Sequence, residues 1–407
     1  MNQYATPTIL ACTALLSPML ATASFYDSQD GKFDLGHHIA ENAYGFLPIP
    51  ILITEPAVGY GGGIAGLFLH EDDEAKEKRK QAALAAVDGG AQLMPAAITL
   101  VGAAGTENGS WFAFAGHRHS WLRDQIRYTG GVGVGKANLD IYKSLNFDGG
   151  NLLPSFDETL KFGTKTSLAG LMQKVQFRVA DTPLMLGVKQ MAAVSSVEFD
   201  FYGKLDEHPE VVDKIIDRLG IDGLDSDSVT SGLGLLVDYD TRDNLFYPKK
   251  GYQIAAEYMV YDEALGSDYN YQNLSVDGQI YLPLSESWNL AFAGNYQNFH
   301  SDDRLLTPTA KPYVALRGVS SYRYQGDEIM VGQTQLSYDV TSRWKISAFY
   351  GHGVAKNSDD NANPRSVDAY GAGFRYQIAR RYGLHLGMDV AFSDEESALY
   401  INIGSGF

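Results

Sequence analysis

Cysteine is almost absent from this sequence, and the one cysteine, Cys12, lies in an apolar stretch near its start. The stretch runs from Ile9 to Ala23, contains no Lys, Arg, Asp or Glu, and ends in Ala21-Thr22-Ala23. It is typical of a secretory signal peptide with an A-x-A cleavage site, so we expect residues 1–23 to be removed. The remaining chain would contain no cysteine, which excludes disulfides, thiol nucleophiles and cysteine metal sites.

Basic residues and long apolar runs are also scarce. The sequence has 32 Lys and Arg against 49 Asp and Glu, a net charge of −17. Such a charge repels a phosphate backbone, so nucleic acid is excluded as a partner. After residue 23 no run reaches the roughly 18 to 20 apolar residues that a membrane-spanning helix needs. A secreted chain with 43 Gly and 25 Tyr fits instead the other structure that satisfies its backbone in lipid, a closed β-barrel.

Apolar and polar residues alternate in several segments of about ten residues, as transmembrane strands require. In 229–240 the odd positions are mostly apolar, and the even ones are mostly Gly or Asp. Segments 274–282 and 382–393 alternate in the same way. Aromatic residues recur at the segment ends, which is typical of the girdles at the two membrane interfaces.

The pattern predicts an all-β fold, a transmembrane antiparallel β-barrel. We place fifteen strands at 58–69, 94–105, 110–120, 125–140, 165–179, 184–200, 229–241, 251–263, 269–284, 288–301, 327–340, 343–356, 367–380, 382–393 and 397–407. Single-chain bacterial barrels have even strand numbers, so we expect a sixteenth strand, for which Phe46 to Thr54 is the best candidate despite its prolines. The barrel then spans 46–407 and follows a short periplasmic extension, 24–45.

The connections indicate which end of the barrel faces the periplasm. Short connections fall at the end where the chain terminates, and the long ones 141–164, 201–228 and 302–326 fall outside, as such barrels require. The charged and Ala-rich segment 70–92 predicts an inserted helix, which is periplasmic if the missing strand precedes residue 58 and outside if it follows. Apolar spacing predicts a second loop helix from Pro209 to Leu219.

Two motifs resemble the BamA/TamA superfamily of outer-membrane assembly and translocation barrels, also called the bacterial surface antigen family. Asp240, Arg242, Asp243, Pro248 and Gly251 match its D-x-R-D/N…P-x-x-G turn between two strands. About 70 residues further on, Leu316, Arg317 and Gly318 match the R-G signature of a loop that folds into the lumen. The resemblance is clear from about 229 to 407. It is weaker upstream, and the extension 24–45 is too short for the periplasmic POTRA modules that family members usually carry.

The resemblance implies that Arg317 points into the lumen. In the family, this arginine meets a Glu on the next strand and an Asp in an F-x-D-x-G pattern on the strand after it. Here Gln335 and Gly351 stand at those positions. A buried guanidinium is costly without a partner, so another group should take over. The candidate partners, by strand parity or closeness to the loop, are Gln335, Asp339, Asp327, Glu328, Glu257 and Asp277.

The last predicted strand places Leu399, Ile401, Ile403 and the terminal Phe407 on one face. A terminal Phe after an alternating strand is typical of bacterial outer-membrane barrels and serves their insertion machinery. The expected partners are therefore outer-membrane lipids and, during biogenesis, the barrel assembly machinery. Deletion of Phe407 should impair assembly of the barrel in the outer membrane.

The resemblance favours a multi-pass protein of the bacterial outer membrane that acts in assembly, translocation or transport, with no cofactor and no enzymatic activity. Its client or substrate stays open. One alternative is a diffusion pore or structural outer-membrane protein. A second is a barrel-type lipid hydrolase, because His385 and Asp389 lie four apart on the lumen side of one strand, although a polar lumen lining is the simpler explanation. His117 and His119 share a strand face, which favours an interface pair over a metal site.

Overall fold

A computed structural model describes residues 25–27, 30–36, 39, 46–86, 97–147, 156–200, 227–303, 306, 309–358, 364–394 and 396–405. Sixteen strands form one antiparallel sheet in which each strand pairs with its neighbours in sequence. They are β1 (Phe46–Ile53), β2 (Gly61–His70), β3 (Ala97–Thr106), β4 (Trp111–Trp121), β5 (Ile126–Phe147), β6 (Phe156–Arg178), β7 (Leu184–Asp200), β8 (Asp227–Asp240), β9 (Gly251–Tyr261), β10 (Tyr271–Pro283), β11 (Trp288–Ser301), β12 (Glu328–Asp339), β13 (Trp344–Lys356), β14 (Arg365–Ala379), β15 (Leu384–Ser393) and β16 (Ser397–Ile403). An α-helix, α1 (Asp73–Ala85), lies between β2 and β3, and short 3₁₀ helices cover Glu263–Leu265 and Arg380–Tyr382.

The predicted sixteen-stranded antiparallel barrel is confirmed, including the proline-containing first strand. Two strands are longer than the alternation indicated, because β5 and β6 stay paired as far as Phe147 and Phe156. β16 is shorter than predicted, because Gly404 turns the chain with a φ of +108°. The helix predicted at Pro209 to Leu219 and the terminal Phe407 lie outside the described residues.

The first strand has one partner, β2, and no pairing between β1 and β16 occurs among the described strands. We call this gap in a nearly closed barrel the seam. Pro48 and Pro50 have no backbone N–H, so in a sheet they fit an edge whose donors are not needed. Their nitrogens therefore face the seam, and the free edge of β1 lacks a donor at both positions.

Large apolar side chains cover the outside of the barrel, with Ile64, Val132 and Leu235 each more than half exposed. Trp121, Trp288 and Trp344 all lie at the end where the connections are short. Rings at this level contact one another, with 4.7 Å between the centroids of Trp288 and Tyr338 and an angle of 44° between their planes. An aromatic girdle marks a membrane interface, and short turns mark the periplasmic side, so this end is the periplasmic one.

The helix α1 packs against the periplasmic end of the barrel, as predicted for a strand that precedes residue 58. Asp72 caps its first turn by accepting a hydrogen bond from the Ala75 N–H at 2.7 Å. At its other end the Arg381 guanidinium donates to the free carbonyls of Ala83 and Ala86. None of the helices in the described part of the chain has the length and apolarity to cross a membrane.

Candidate functional site

The lumen is closed from the outside by residues 309–327, which we call the lumenal loop. Its apolar side chains Val314, Leu316 and Val319 are buried. They pack on lumen-facing residues of β12 to β14, namely Ile329, Val331, Ala355, Val367 and Ala369. The loop is therefore a packed part of the barrel core.

Two glycines of β13 make room for this loop. A Cβ added at Gly351 would collide with the Leu316 side chain, and one added at Gly353 would collide with Val314. Gly351 stands where the family resemblance places an Asp. The missing carboxylate thus coincides with close apolar packing of the loop against the strand.

Arg317 points inward from the lumenal loop and is almost fully buried. Its Nη1 donates to Gln335 Oε1 at 3.0 Å and to Asp389 Oδ2 at 3.2 Å. The guanidinium carbon lies 3.6 Å from the centroid of the Phe349 ring, a cation–π arrangement. An amide, a carboxylate and an aromatic face together hold the charge that the loop brings into the lumen.

Asp389, on β15, is the centre of the lumenal network and is fully buried. Arg375 from β14 binds it through two parallel hydrogen bonds of 2.7 Å each. Asn402 from β16 donates a third at 2.9 Å. One carboxylate therefore binds two guanidinium groups, and its pair with Arg375 has the bidentate geometry in which charge-assisted bonds are strongest. Sequence reasoning placed Asp389 in the lumen but did not pair it with Arg317, because 72 residues separate them.

Of the six candidate partners, the structure brings Gln335 to Arg317 and shows the five acids in other contacts. Their partners lie on an adjacent strand, on the strand beyond it, or in the loops. Asp339 contacts Lys345, Asp327 contacts Lys311, Glu328 contacts Lys356, Glu257 contacts Lys189, and Asp277 accepts a hydrogen bond from Asn295.

The outer end of the lumenal loop spans the seam. On one side, the Ser321 N–H donates to Glu55, which follows β1, at 3.1 Å. On the other side, Ser320 and Arg323 both bind Glu396, which precedes β16. The loop therefore connects β1 and β16, which do not pair with each other, through side-chain hydrogen bonds.

Gly318 fixes the position of the loop next to Arg317. Its φ of +92° is open to glycine at little cost. Its N–H donates to the Tyr400 hydroxyl at 3.0 Å, and its carbonyl accepts from the Ser393 hydroxyl at 2.9 Å. The R-G pair thus supplies one residue for the charge and one for the turn.

The second motif forms the periplasmic turn between β8 and β9, residues 241–250. Asp240 and Arg242 form a bidentate pair, and Asp243 accepts hydrogen bonds from the N–H groups of Lys249 and Lys250. Gly251 has a φ of +101°, and a Cβ there would collide with the Thr241 carbonyl. The turn is therefore held by its own residues, and its Pro248 is buried.

This turn also reaches across the periplasmic mouth of the barrel. The ring of its Tyr247 lies 4.0 Å from that of His385 on the opposite wall. Beside it, the chain after β16 folds inward, and the Ser405 carbonyl accepts a hydrogen bond from Gln335 at 3.1 Å. His385 Nδ1 lies 3.0 Å from the Gly383 carbonyl, whereas Asp389 binds arginines. The two residues considered for a hydrolase therefore have separate partners.

The periplasmic end carries a second ionic cluster. Residues 25–27 and 30–36, the N-terminal segment, dock on the turns after β12 and β14. The Arg343 guanidinium, with 0% of its side chain exposed, contacts the carboxylates of Asp27, Asp30 and Asp34. Arg380 adds a second cation at Asp27, at 2.5 Å. Charge complementarity thus holds this segment against the barrel.

Docking of the N-terminal segment should depend on pH in the acid range. The hydrogen bond from Arg343 lowers the pKa of Asp30 to about 2. A lowered pKa stabilises the docked state above the ordinary pKa of about 3.9, and the contribution is lost as the pH falls toward 2. A spin label on Lys32→Cys, in a Cys12→Ser background, should stay immobile down to about pH 4 and gain mobility between about 4 and 2. Constant mobility to pH 2 would show that the ion pairs do not control docking.

The fold and the lumenal site define a class of protein, the outer-membrane β-barrel whose lumen is closed by an infolded loop. Residues 188–407 match the model of the Omp85 superfamily domain, and the chain belongs to this superfamily. The family that the two motifs predicted is therefore confirmed. Family and fold indicate an outer-membrane protein of Gram-negative bacteria.

Solved structures show a similar fold at low sequence identity. BamA from Haemophilus ducreyi lacking POTRA domains 1–3 is 12% identical, with a TM-score of 0.55, over 88% of this chain and 69% of that one. CdiB from Escherichia coli is 10% identical, with a TM-score of 0.52, over 88% of this chain and 61% of that one. CdiB from Acinetobacter baumannii gives 11% identity and a TM-score of 0.51, over 88% of this chain and 59% of that one. A search of the curated proteins gives no match.

Proposed function

We propose that this protein acts in assembly, translocation or transport at the outer membrane, and that its barrel opens for this purpose at the seam between β1 and β16. The observation that carries the proposal is the seam itself. Two neighbouring strands lack a ladder, and the lumenal loop connects them through Glu55 and Glu396. Side-chain contacts separate at lower cost than a strand ladder of many hydrogen bonds. The barrel can therefore open at one place without unfolding.

The lumenal loop argues against the alternative of a simple diffusion pore. Its apolar side chains are packed on the barrel wall, and Arg317 is tied to Asp389. A lumen closed in this way should conduct few ions in a planar bilayer. The separate partners of His385 and Asp389 argue against the hydrolase alternative, because a catalytic dyad requires a hydrogen bond between the histidine and its acid.

Crosslinking across the seam tests the proposal in cells. We expect a strain that lacks the protein to have an altered outer-membrane protein or lipid profile. A variant carrying Leu52→Cys on β1 and Ile401→Cys on β16, joined by a flexible thiol crosslinker, should restore the profile only when the crosslink is left out. The matched control carries Leu235→Cys and Tyr258→Cys, which face each other across paired strands, and should restore it in both conditions.

Two results would contradict the proposal. An unchanged membrane profile in the deletion strain would remove the proposed role altogether. Full restoration by the crosslinked seam variant would leave a role at the outer membrane but not one that uses the seam. High conductance of the wild-type protein would instead favour the pore.

A further inference from the structure

The lumen-facing side of the first three strands is apolar, unlike the polar interior that transmembrane barrels usually have. It comprises the odd positions of 47–53 on β1, the odd positions of 61–69 on β2 and the even positions of 98–106 on β3. We call this surface the apolar wall. None of its residues is charged, and Thr106 is its only polar side chain. An apolar surface in a barrel lumen needs an occupant that covers it.

The periplasmic half of the wall has such a cover within the protein. Leu67 and Leu69 are buried there together with Ile39 from the segment before β1 and Ala83 from α1. The outer half is different. Ile51 and Ile53 belong to neither of the two buried clusters of the described residues.

Two phenylalanines of β4 continue the outer half of the wall. The rings of Phe112 and Phe114 are stacked with 6.0 Å between their centroids, and Phe112 is 39% exposed. Opposite them on β5 are Gly133 and Gly135. A Cβ added at Gly133 would meet no atom closer than 3.7 Å, so a side chain can be added at this point without a clash. We call the space between Ile51, Ile53, Phe112, Phe114 and Gly133 the groove.

The groove is continuous with the lipid-facing surface around the edge of β1. Every residue of this strand is apolar, on the lumen side and on the lipid side, and the lipid-facing Leu52 is 55% exposed. An acyl chain could pass around the edge without removing water from any charged group of this strand. A peptide strand would need backbone partners there, and Pro48 and Pro50 supply no donor. The edge therefore favours a hydrocarbon chain over a polypeptide.

A cation lies at the periplasmic side of the groove. Arg118 has the same strand parity as Phe112 and Phe114, and its position four residues from Phe114 corresponds to roughly 13 Å along a strand. The nearby carboxylate of Asp124 accepts hydrogen bonds from Arg127 and Arg178. A guanidinium group is well suited to a phosphate. A lipid of the periplasmic leaflet, whose phosphate lies toward the periplasm and whose chains point to the bilayer centre, matches this polarity.

We propose that the groove binds an acyl chain of an anionic glycerophospholipid from the periplasmic leaflet, with its phosphate on Arg118. This inference rests on the proposed function, since it makes the seam the entry for the chain. The substrate class of the barrel would then include phospholipids. Entry is a non-covalent transfer from the bilayer around β1 into the lumen.

Photocrosslinking of the purified full-length protein tests the inference. The protein is reconstituted in vesicles that contain phosphatidylglycerol with a diazirine in its acyl chain, and crosslinked residues are mapped by mass spectrometry. We expect crosslinks to the groove residues Ile51, Phe112 and Phe114, in addition to lipid-facing residues such as Val132, which serve as the internal standard. Crosslinks confined to lipid-facing residues would overturn the inference.

Matched variants separate binding in the groove from general contact with lipid. Gly133→Leu fills the groove and should lower the groove crosslinks, relative to Val132, at least about tenfold, since roughly four methylene-sized groups would occupy the chain's place. Its control is Gly278→Leu, which faces lipid where an added Cβ meets no atom within 4 Å, and it should have no effect. Equal groove crosslinking in the two variants would count against the groove.

The role of Arg118 has its own pair of variants. Arg118→Gln should lower the groove crosslinks about tenfold, and Arg118→Lys should retain most of them, as expected for a charge-assisted bond to phosphate. Lys189→Gln, a lumenal cation on β7, is the control. If Arg118→Gln has no effect, the phosphate does not bind there. Because these measurements use purified protein, they can fail while the deletion strain still supports the proposed function, and the reverse also holds.

Discussion

Replacement of Asp389 by alanine is expected to destabilise the barrel by about 3 to 5 kcal/mol and to release the lumenal loop. The reason is that Arg375 and Arg317 would both remain in the lumen without their carboxylate. The midpoint of the heat-dependent shift in gel mobility should fall. Conductance in planar bilayers and protease cleavage within 309–327 should both rise.

Two further variants test whether the effect of Asp389→Ala comes from the lumenal network. Arg317→Ala should have a smaller effect on thermal stability, because Asp389 keeps its bidentate partner Arg375 and its bond from Asn402. It should still raise conductance, since the loop loses the charge-assisted bond from Arg317 to Asp389. Asp277→Ala removes a lumenal carboxylate whose hydrogen bonds come from neutral groups, the amide of Asn295 and the hydroxyl of Ser275, and should change stability little. If Asp277→Ala and Asp389→Ala behaved alike, the network would have no special role.

Replacement of Arg343 by alanine is expected to have the next largest effect, undocking the N-terminal segment at neutral pH. Asp27, Asp30 and Asp34 would then face one another without the buried guanidinium that now contacts all three. The loss should be about 3 kcal/mol, the lower end of the range for a broken buried pair, because Arg380 still reaches Asp27. Trypsin should then cleave after Lys32 much faster than in the wild type, as followed by mass spectrometry.

Lys249→Ala is the matched control for Arg343→Ala. It also removes a cation from a periplasmic turn, but Lys249 is half exposed and its nearest contact with Asp339 is 3.6 Å. Such a pair contributes at most about 1 kcal/mol. Unchanged trypsin resistance in Arg343→Ala would mean that apolar contacts of Leu35 and Ile39, not the ion pairs, hold the segment.

The strands were predictable because a membrane barrel imposes a simple rule on its sequence. Lipid on one side and a filled lumen on the other force apolar and small or polar residues to alternate with a period of two. In β8 this alternation holds from Leu233 to Val237, with Leu236 as the exception. Even β1, which is apolar on both faces, followed from the even-number rule rather than from its pattern. The prolines that weakened its assignment are explained by its place at the seam.

The lumenal network was less predictable, because its contacts join strands that are far apart in sequence. Parity places Gln335 and Asp389 inside but does not show which inward residues reach the same loop atom. The end of β16 shows the same limit. Ser405 broke the apolar parity of Leu399 and Ile403, and the structure gives the reason, since Gly404 turns the chain and Ser405 is buried in the lumen.

The inward turn at Gly404 sets an order of events in biogenesis. Arg375 and Gln335 bind the carbonyls of Gly404 and Ser405, so these contacts form only after β14 and β12 are in place. The terminal Phe predicts that an assembly factor holds the end of the chain during insertion, and the same residues would then be kept out of the lumen. Release of that end and completion of the lumenal network would then be one step, and a barrel still bound to its assembly factor would have an incomplete lumenal network.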